Sequence, residues 1–252
     1  MKFIHTADIH LGAEPDTGSS YTAKRPEELW NSFERLLNIC EEEQTDLLLI
    51  AGDLFHRQPL LRELKELDYL FSRLTHTQVV LIAGNHDYLK STSYYRNYKW
   101  QGPVHMFLSQ KPACMEFKEL GVRIYGLSYE EREITEPLYE KILPEKRGIA
   151  SILLAHGGDE KHIPFRKNEL LKLGYEKAAE LGACFALVEL AFLYENGDGV
   201  EKNYEKSFEL ISKAAEQGYP YAMFRVGLYM EKGVLGEVKP EEAFAWYTKA
   251  AE

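Results

Sequence analysis

The sequence predicts a layered α/β domain followed by an all-α repeat solenoid. Two observations carry this. Residues 1–167 alternate short apolar runs with amphipathic stretches, the pattern of strands and helices taken in turn. Residues 178–252 instead repeat themselves at an interval of 36 residues without gaps, the mark of stacked helical units.

The elements follow in order. Lys2–Ala7, Asp46–Ala51 and Val79–Ala83 are short, leucine-rich or β-branched, and followed by Gly or polar residues, so they read as buried strands. Between them, Pro26–Glu43 sets Leu29, Phe33, Leu36, Leu37 and Cys40 at helical spacing. Leu61–Leu74 does the same with Leu64, Leu67, Leu70 and Phe71. Val104–Leu108, Ala113–Phe117, Val122–Leu127 and Ala150–Ala155 are further strands, and Lys167–Gly174 is a helix. Beyond it, Ala178-Ala179-Glu180 recurs as Ala214-Ala215-Glu216 and Ala250-Ala251-Glu252. Each unit sets two helices around a glycine-containing turn. Ala183–Glu195 and Tyr204–Gln217 form one pair, Tyr219–Lys232 and Pro240–Glu252 the next, with Pro240 suited to a helical first turn.

Composition narrows the function classes. The net charge is −10, which argues against a broad polyanion-binding surface. A nuclease stays open, because bound divalent cations would reverse the sign locally. No apolar run is long enough for a membrane span, and Met1–His5 enters a strand directly, unlike a secretion signal. The 3 cysteines show neither zinc nor disulfide spacing, so a reducing cytoplasm is expected. All 8 histidines lie at or before His162. Metal and proton-transfer chemistry therefore belongs to the first part.

Three polar clusters each follow a strand: Asp8-Ile9-His10, Gly52-Asp53 and Gly84-Asn85-His86-Asp87. Ligands collect at the carboxyl ends of strands in α/β sheets, so three such clusters converge on one place. Asp, Asn and His offer hard oxygens and imidazole nitrogen, suited to Mn, Fe or Zn rather than Ca. The glycines before Asp53 and Asn85 would let the backbone turn sharply. His156 ends the last strand and reads as another ligand. His5, His76 and His105 have no motif and read as surface or packing residues. Tyr94–Trp100 reads as a packed helix face, with base stacking as the alternative.

Together these clusters resemble the calcineurin-like metallophosphoesterases. Phe3–Gly12, Gly52-Asp53-Leu54-Phe55-His56 and Leu153–Gly158 resemble the SbcD-type DNA repair exonucleases in particular. The resemblance implies a metallophosphoesterase β-sandwich with flanking helices over residues 1–175. It implies two divalent metals, Mn first, with Fe, Zn or Mg as alternatives. Asp8 and His10 would bind the first metal, Asp53 would bridge, and Asn85 and His156 would bind the second. His86 would orient the scissile phosphate or protonate the leaving oxygen, with His56 supporting it. DNA as substrate, a homodimer and a coiled-coil repair ATPase are further implications. Residues 176–252 resemble Sel-one-like repeats, relatives of the tetratricopeptide repeat, which implies a protein or peptide partner.

One part of the family pattern is missing. A closing Gly-His-x-His pair is expected after one more strand, but Ala183 and Phe185 stand at the matching positions. The domain is therefore expected to be incomplete at its C-terminal end, each metal short of one protein ligand and turnover impaired. The junction is expected at Gly174–Lys177, and His162 is a candidate substitute ligand. Three functions follow: a metal-dependent phosphodiesterase or DNA exonuclease, an interaction scaffold with little catalysis, or a small-molecule phosphoesterase.

Overall fold

The computed structural model describes residues 1–14, 24–143, 149–180 and 182–251. The chain divides into two compact units, one built on Met1–Ile142 and Ile149–Pro164, the other on Phe165–Glu252.

In the first unit, β1 (Phe3–Thr6), β2 (Leu47–Ala51), β3 (Gln78–Ile82) and β4 (Val104–Met106) form a parallel sheet in that order. Helices α1 (Arg25–Glu42) and α2 (Leu61–Ser72) are the crossovers between β1, β2 and β3. A second sheet holds β5 (Ala113–Phe117), β6 (Val122–Gly126) and β7 (Ala150–Leu154), with β5 antiparallel and β7 parallel to β6.

Side-chain alternation explains the layering. Along β2, Leu48 and Ile50 join Phe33, Leu37, Leu64, Leu67 and Phe71 in the core under the helices. Leu47, Leu49 and Ala51 point the other way, into a second core with Phe107, Val122, Ile124 and Leu154. Every residue of β2 is buried because both faces of this strand are covered, which is why its sequence runs apolar instead of alternating. Each such leucine contributes roughly 1.5–3 kcal/mol by leaving water. Two local devices frame the helices. Pro26 sits in the first turn of α1, and Glu63 reaches back to the Leu60 N–H at 2.7 Å at the start of α2.

The second unit stacks α3 (Lys167–Glu180), α4 (Cys184–Asn196), α5 (Tyr204–Glu216), α6 (Pro220–Lys232) and α7 (Pro240–Ala251), each helix packed on the next. Gly197 and Gly233, one period apart, end α4 and α6 in left-handed backbone at φ 80° and 58°. Ile211, Ala214 and Ala215 of α5 meet Ala222 and Val226 of α6 in the shared core. The small alanines permit that close approach.

One element differs from expectation. The helix starting at Lys167 does not end at Gly174 but runs through to Glu180. A single glycine costs a helix only about 1 kcal/mol, and strong helix formers flank it on both sides. The expected junction at Gly174–Lys177 thus falls inside one helix. α3 stands one period before α5 and packs on α4 as α5 packs on α6.

Candidate metal centre

Because β1, β2 and β3 are parallel, their carboxyl ends lie on one edge, and the three polar clusters meet there. Backbone bonds knit the first two together. Asp8 N–H donates to Gly52 O at 3.2 Å, His10 N–H to Asp53 O at 3.0 Å and Leu11 N–H to Leu54 O at 2.8 Å. To fit this, Asp8, His10 and Asp53 all take left-handed backbone, at φ 53°, 53° and 50°. Side-chain-bearing residues rarely adopt that conformation, and it concentrates at functional sites.

Donor atoms of Asp8, His10 and Asp53 lie within 4.8 Å of one another, as do those of His10, His56 and His86. Asp53 is buried at the centre. Its Oδ1 accepts from the His86 N–H at 2.9 Å, and its Oδ2 lies 3.9 Å from His10 Nε2 and 3.5 Å from His156 Nε2. His156 Nδ1 donates to Ala51 O and its Nε2 meets Asn85 Oδ1, both at 2.9 Å. His86 Nδ1 donates to the His56 carbonyl at 3.0 Å, and the two rings stand 5.0 Å apart. The structure thus brings together Asp8, His10, Asp53, His56 and His86 around one side, and Asp53, Asn85 and His156 around the other.

The electrostatics suit a cation. Burial pushes the Asp53 carboxyl up, but the hydrogen bond and charge of His156 and the His86 N–H outweigh it, so it lies below the ordinary range. Burial pushes His156 down, yet its bond to Asp53 and that carboxyl's charge raise it overall. His10 lies low, first through burial, with the neighbouring imidazoles adding to it. With a proton on Nδ1 for Ala51, His156 turns Nε2 toward two oxygen acceptors, an arrangement satisfied by a proton or a metal ion. His10 Nδ1 is buried with no hydrogen-bond partner among the described residues. The donors therefore fit the divalent metals that the resemblance implies.

The glycines act differently from each other. Gly52 takes φ 84°, the sharp turn expected. Gly84 needs no unusual backbone, so the turn expected there is corrected. Its role is space, since a Cβ would fall 2.2 Å from Asp53 Oδ1 and 2.8 Å from His156 Nε2.

A second set of residues, not legible in the sequence, supports these donors. Asp87 is fully buried and accepts from Gly84 N–H at 2.8 Å, Phe55 N–H at 3.2 Å and Tyr95 O–H at 3.1 Å. It thereby ties the Asp53 and Asn85 loops to each other. Burial, with the Asp53 charge adding to it, pushes its carboxyl up to about 6. Tyr139 O–H donates to His156 O at 2.9 Å and accepts from His156 N–H at 2.8 Å, while Tyr129 O–H also donates to His156 O. The signal for Asp87 was its place closing Gly-Asn-His-Asp. For the tyrosines no local pattern existed.

The remaining expectations fall as follows. Tyr95 is buried and Tyr98 and Trp100 pack on the core beneath, so this segment is a packing face; its helical part is one short 3-10 turn, Tyr94–Asn97. His76 bonds Asp46 and His105 bonds Gln78, away from the centre. His5 is not merely surface: it lines a pocket with Asp8, Asn85, His156 and His162.

Comparison with known proteins adds to this geometry. The pattern of the family described as calcineurin-like phosphoesterase matches residues 1–186, and that of the Sel1 repeat matches 184–219 and 220–252. An uncharacterized metallophosphoesterase, YhaO of Bacillus subtilis, is 31% identical over 195 residues, 70% of this chain and 47% of that protein. The DNA double-strand break repair protein Mre11 of Aeropyrum pernix is 36% identical over 89 residues, 34% of this chain and 21% of that one. This chain spans less than half the length of either relative. Among solved structures, a Sel1 repeat protein from Oxalobacter formigenes is 34% identical over 33% of this chain and 34% of its own, with a TM-score of 0.32.

Proposed function

The chain belongs to the calcineurin-like phosphoesterase family and carries Sel1 repeats, and from that premise we propose that it is a metal-dependent phosphodiester hydrolase acting on DNA. The observation that carries this is the convergence of Asp8, His10, Asp53, Asn85 and His156 at the carboxyl ends of three parallel strands and of β7. Asp8, His10 and Asp53 would hold one divalent ion, Mn by preference. Asp53, Asn85 and His156 would hold the second. Bound in this way, two ions supply Lewis acidity and an activated water to a phosphodiester.

The chain's own groups do the rest. The His56 carbonyl fixes the His86 ring through Nδ1–H, so that in its imidazolium form the ring gives the Nε2 proton to the leaving oxygen and is left neutral, with its remaining proton on Nδ1. His10 and His86 rings pack edge to face at 4.8 Å, which restricts the ring's tilt. Asp53 accepts the His86 N–H, so the bridging carboxylate and the proton donor are tied together across two loops. DNA is preferred as substrate on the likeness to Mre11 proteins.

The test is hydrolysis of linear DNA and of a bis-aryl phosphodiester by the full chain in Mn2+, beside Asp53→Asn. Cleavage abolished by chelation and at least 100-fold slower in the variant is expected. Equal rates for both proteins would refute the proposal, and aryl diester turnover without DNA cleavage would move the substrate to small molecules. The resemblance of the sequence motifs to SbcD-type exonucleases further implies a homodimer and a coiled-coil ATPase partner, which sedimentation with such an ATPase tests.

A second reading, an interaction scaffold with little catalysis, is favoured by Phe185, Tyr221 and Phe224, which stand exposed on the repeat helices. Calorimetric titration separates the two, because tight binding of two Mn2+ per chain counts against a mere scaffold. Among the described residues no helix is long and apolar enough to cross a membrane.

A further inference from the structure

The Asp53–Asn85–His156 side presents three donors and is open on its fourth. Asn85 Oδ1 and Asp53 Oδ2 lie 2.9 and 3.5 Å from His156 Nε2. With metal–donor bonds of roughly 2.1 Å, these spacings would let His156 Nε2 share one ion with either oxygen. Beside them opens a pocket of about 310 Å³, lined by His5, Asp8, Asn85, His156, Asp159 and His162.

His162 is prepared as a ligand. Its Nδ1 bonds Asp159 Oδ2 at 2.7 Å, which puts the proton on Nδ1 and leaves Nε2 as a lone-pair donor. No group among the described residues is hydrogen-bonded to that Nε2. A carboxylate behind an imidazole is the usual support of a metal-binding histidine. The loop is also held with care. Gly157 takes φ 123°, where a Cβ would fall 2.0 Å from His162 O, and Gly158 N–H donates to that same oxygen at 2.8 Å. Ile163, β-branched and fully buried, sits at φ 40° with its N–H on Ile134 O at 2.7 Å. Backbone strain at a branched residue persists only where surrounding contacts impose it, and it gathers at ligand sites. In the described conformation His162 stands outside the tight donor sets and on the pocket wall.

We propose that Asp159 and His162 form a metal-ligand dyad, with His162 Nε2 turning in from the pocket wall to supply the fourth protein donor beside Asp53, Asn85 and His156. This rests on the metal-centre reading above.

The test loads the full, chelator-stripped chain with Co2+ and reads stoichiometry by calorimetry and coordination by visible absorption. The unsubstituted chain is expected to bind two ions. His162→Ala should keep one and bind the other at least 30-fold more weakly, with a changed ligand-field band. Asp159→Asn should weaken that second ion about 10-fold. His162→Cys should add a thiolate-to-cobalt charge-transfer band absent from the unsubstituted chain, whose cysteines provide the baseline. His76→Ala should change nothing. Two ions bound by His162→Ala with unchanged affinity and spectrum, or no new band in His162→Cys, would overturn the dyad while leaving the metal centre standing. No Co2+ binding by the unsubstituted chain would remove both.

Discussion

Asp87→Asn separates two effects at the base of the metal loops. The Asp87 carboxyl is fully buried and pushed from its ordinary 3.8 to about 6. Between those values the unfolded chain gives up its proton while the folded chain keeps it, so stability falls as pH rises. The contribution is fully present below pH 3.8 and lost by the time pH passes about 6. Two pKa units correspond to about 3 kcal/mol. Asparagine has no such titration. Its NH2, however, must face either the Gly84 or the Phe55 N–H, both of which donate to Asp87. One buried N–H then lacks an acceptor, a pH-independent cost of about 1–3 kcal/mol. The variant should therefore be less stable than the unsubstituted chain near pH 4. By pH 7 the gap should have closed by about 3 kcal/mol. The assay is urea unfolding in chelator, in a Trp246→Phe background that leaves Trp30 and Trp100, both in the first unit, as reporters. Parallel stability-against-pH curves for the two proteins would refute the argument.

Gly84→Ala should drive Asp53 and His156 apart, since the new Cβ would meet both; at least a 10-fold loss of Mn2+ affinity, read by calorimetry, is expected. Tyr139→Phe strands the buried His156 N–H and should cost the first unit about 1–3 kcal/mol in urea unfolding. Ile211→Ala removes a fully buried side chain between α5 and α6 and should cost the second unit about 2–5 kcal/mol, with Mn2+ binding unchanged.

Much of the fold was legible because its signals are local. The apolar run Leu47–Ala51 announces a strand covered on both faces, and the 36-residue recurrence of Ala-Ala-Glu announces stacked helices. The polar clusters at strand ends were legible for the same reason: a parallel sheet puts its carboxyl ends together whatever the details. The single helix α3 was not, because Gly174 reads as a stop, although its cost of about 1 kcal/mol is outweighed by the helix formers around it and by packing on α4. Donor types and their order along the chain are thus properties of the sequence. What holds them is not. Asp87 beneath two loops, Tyr129 and Tyr139 at His156, and Asp159 behind His162 owe their roles to partners met only in three dimensions. The left-handed backbone of Asp8, His10 and Asp53 is of the same kind. Asp and His reach that conformation more readily than most side-chain-bearing residues but rarely hold it alone, and hydrogen bonds between separate strand ends hold these three in it.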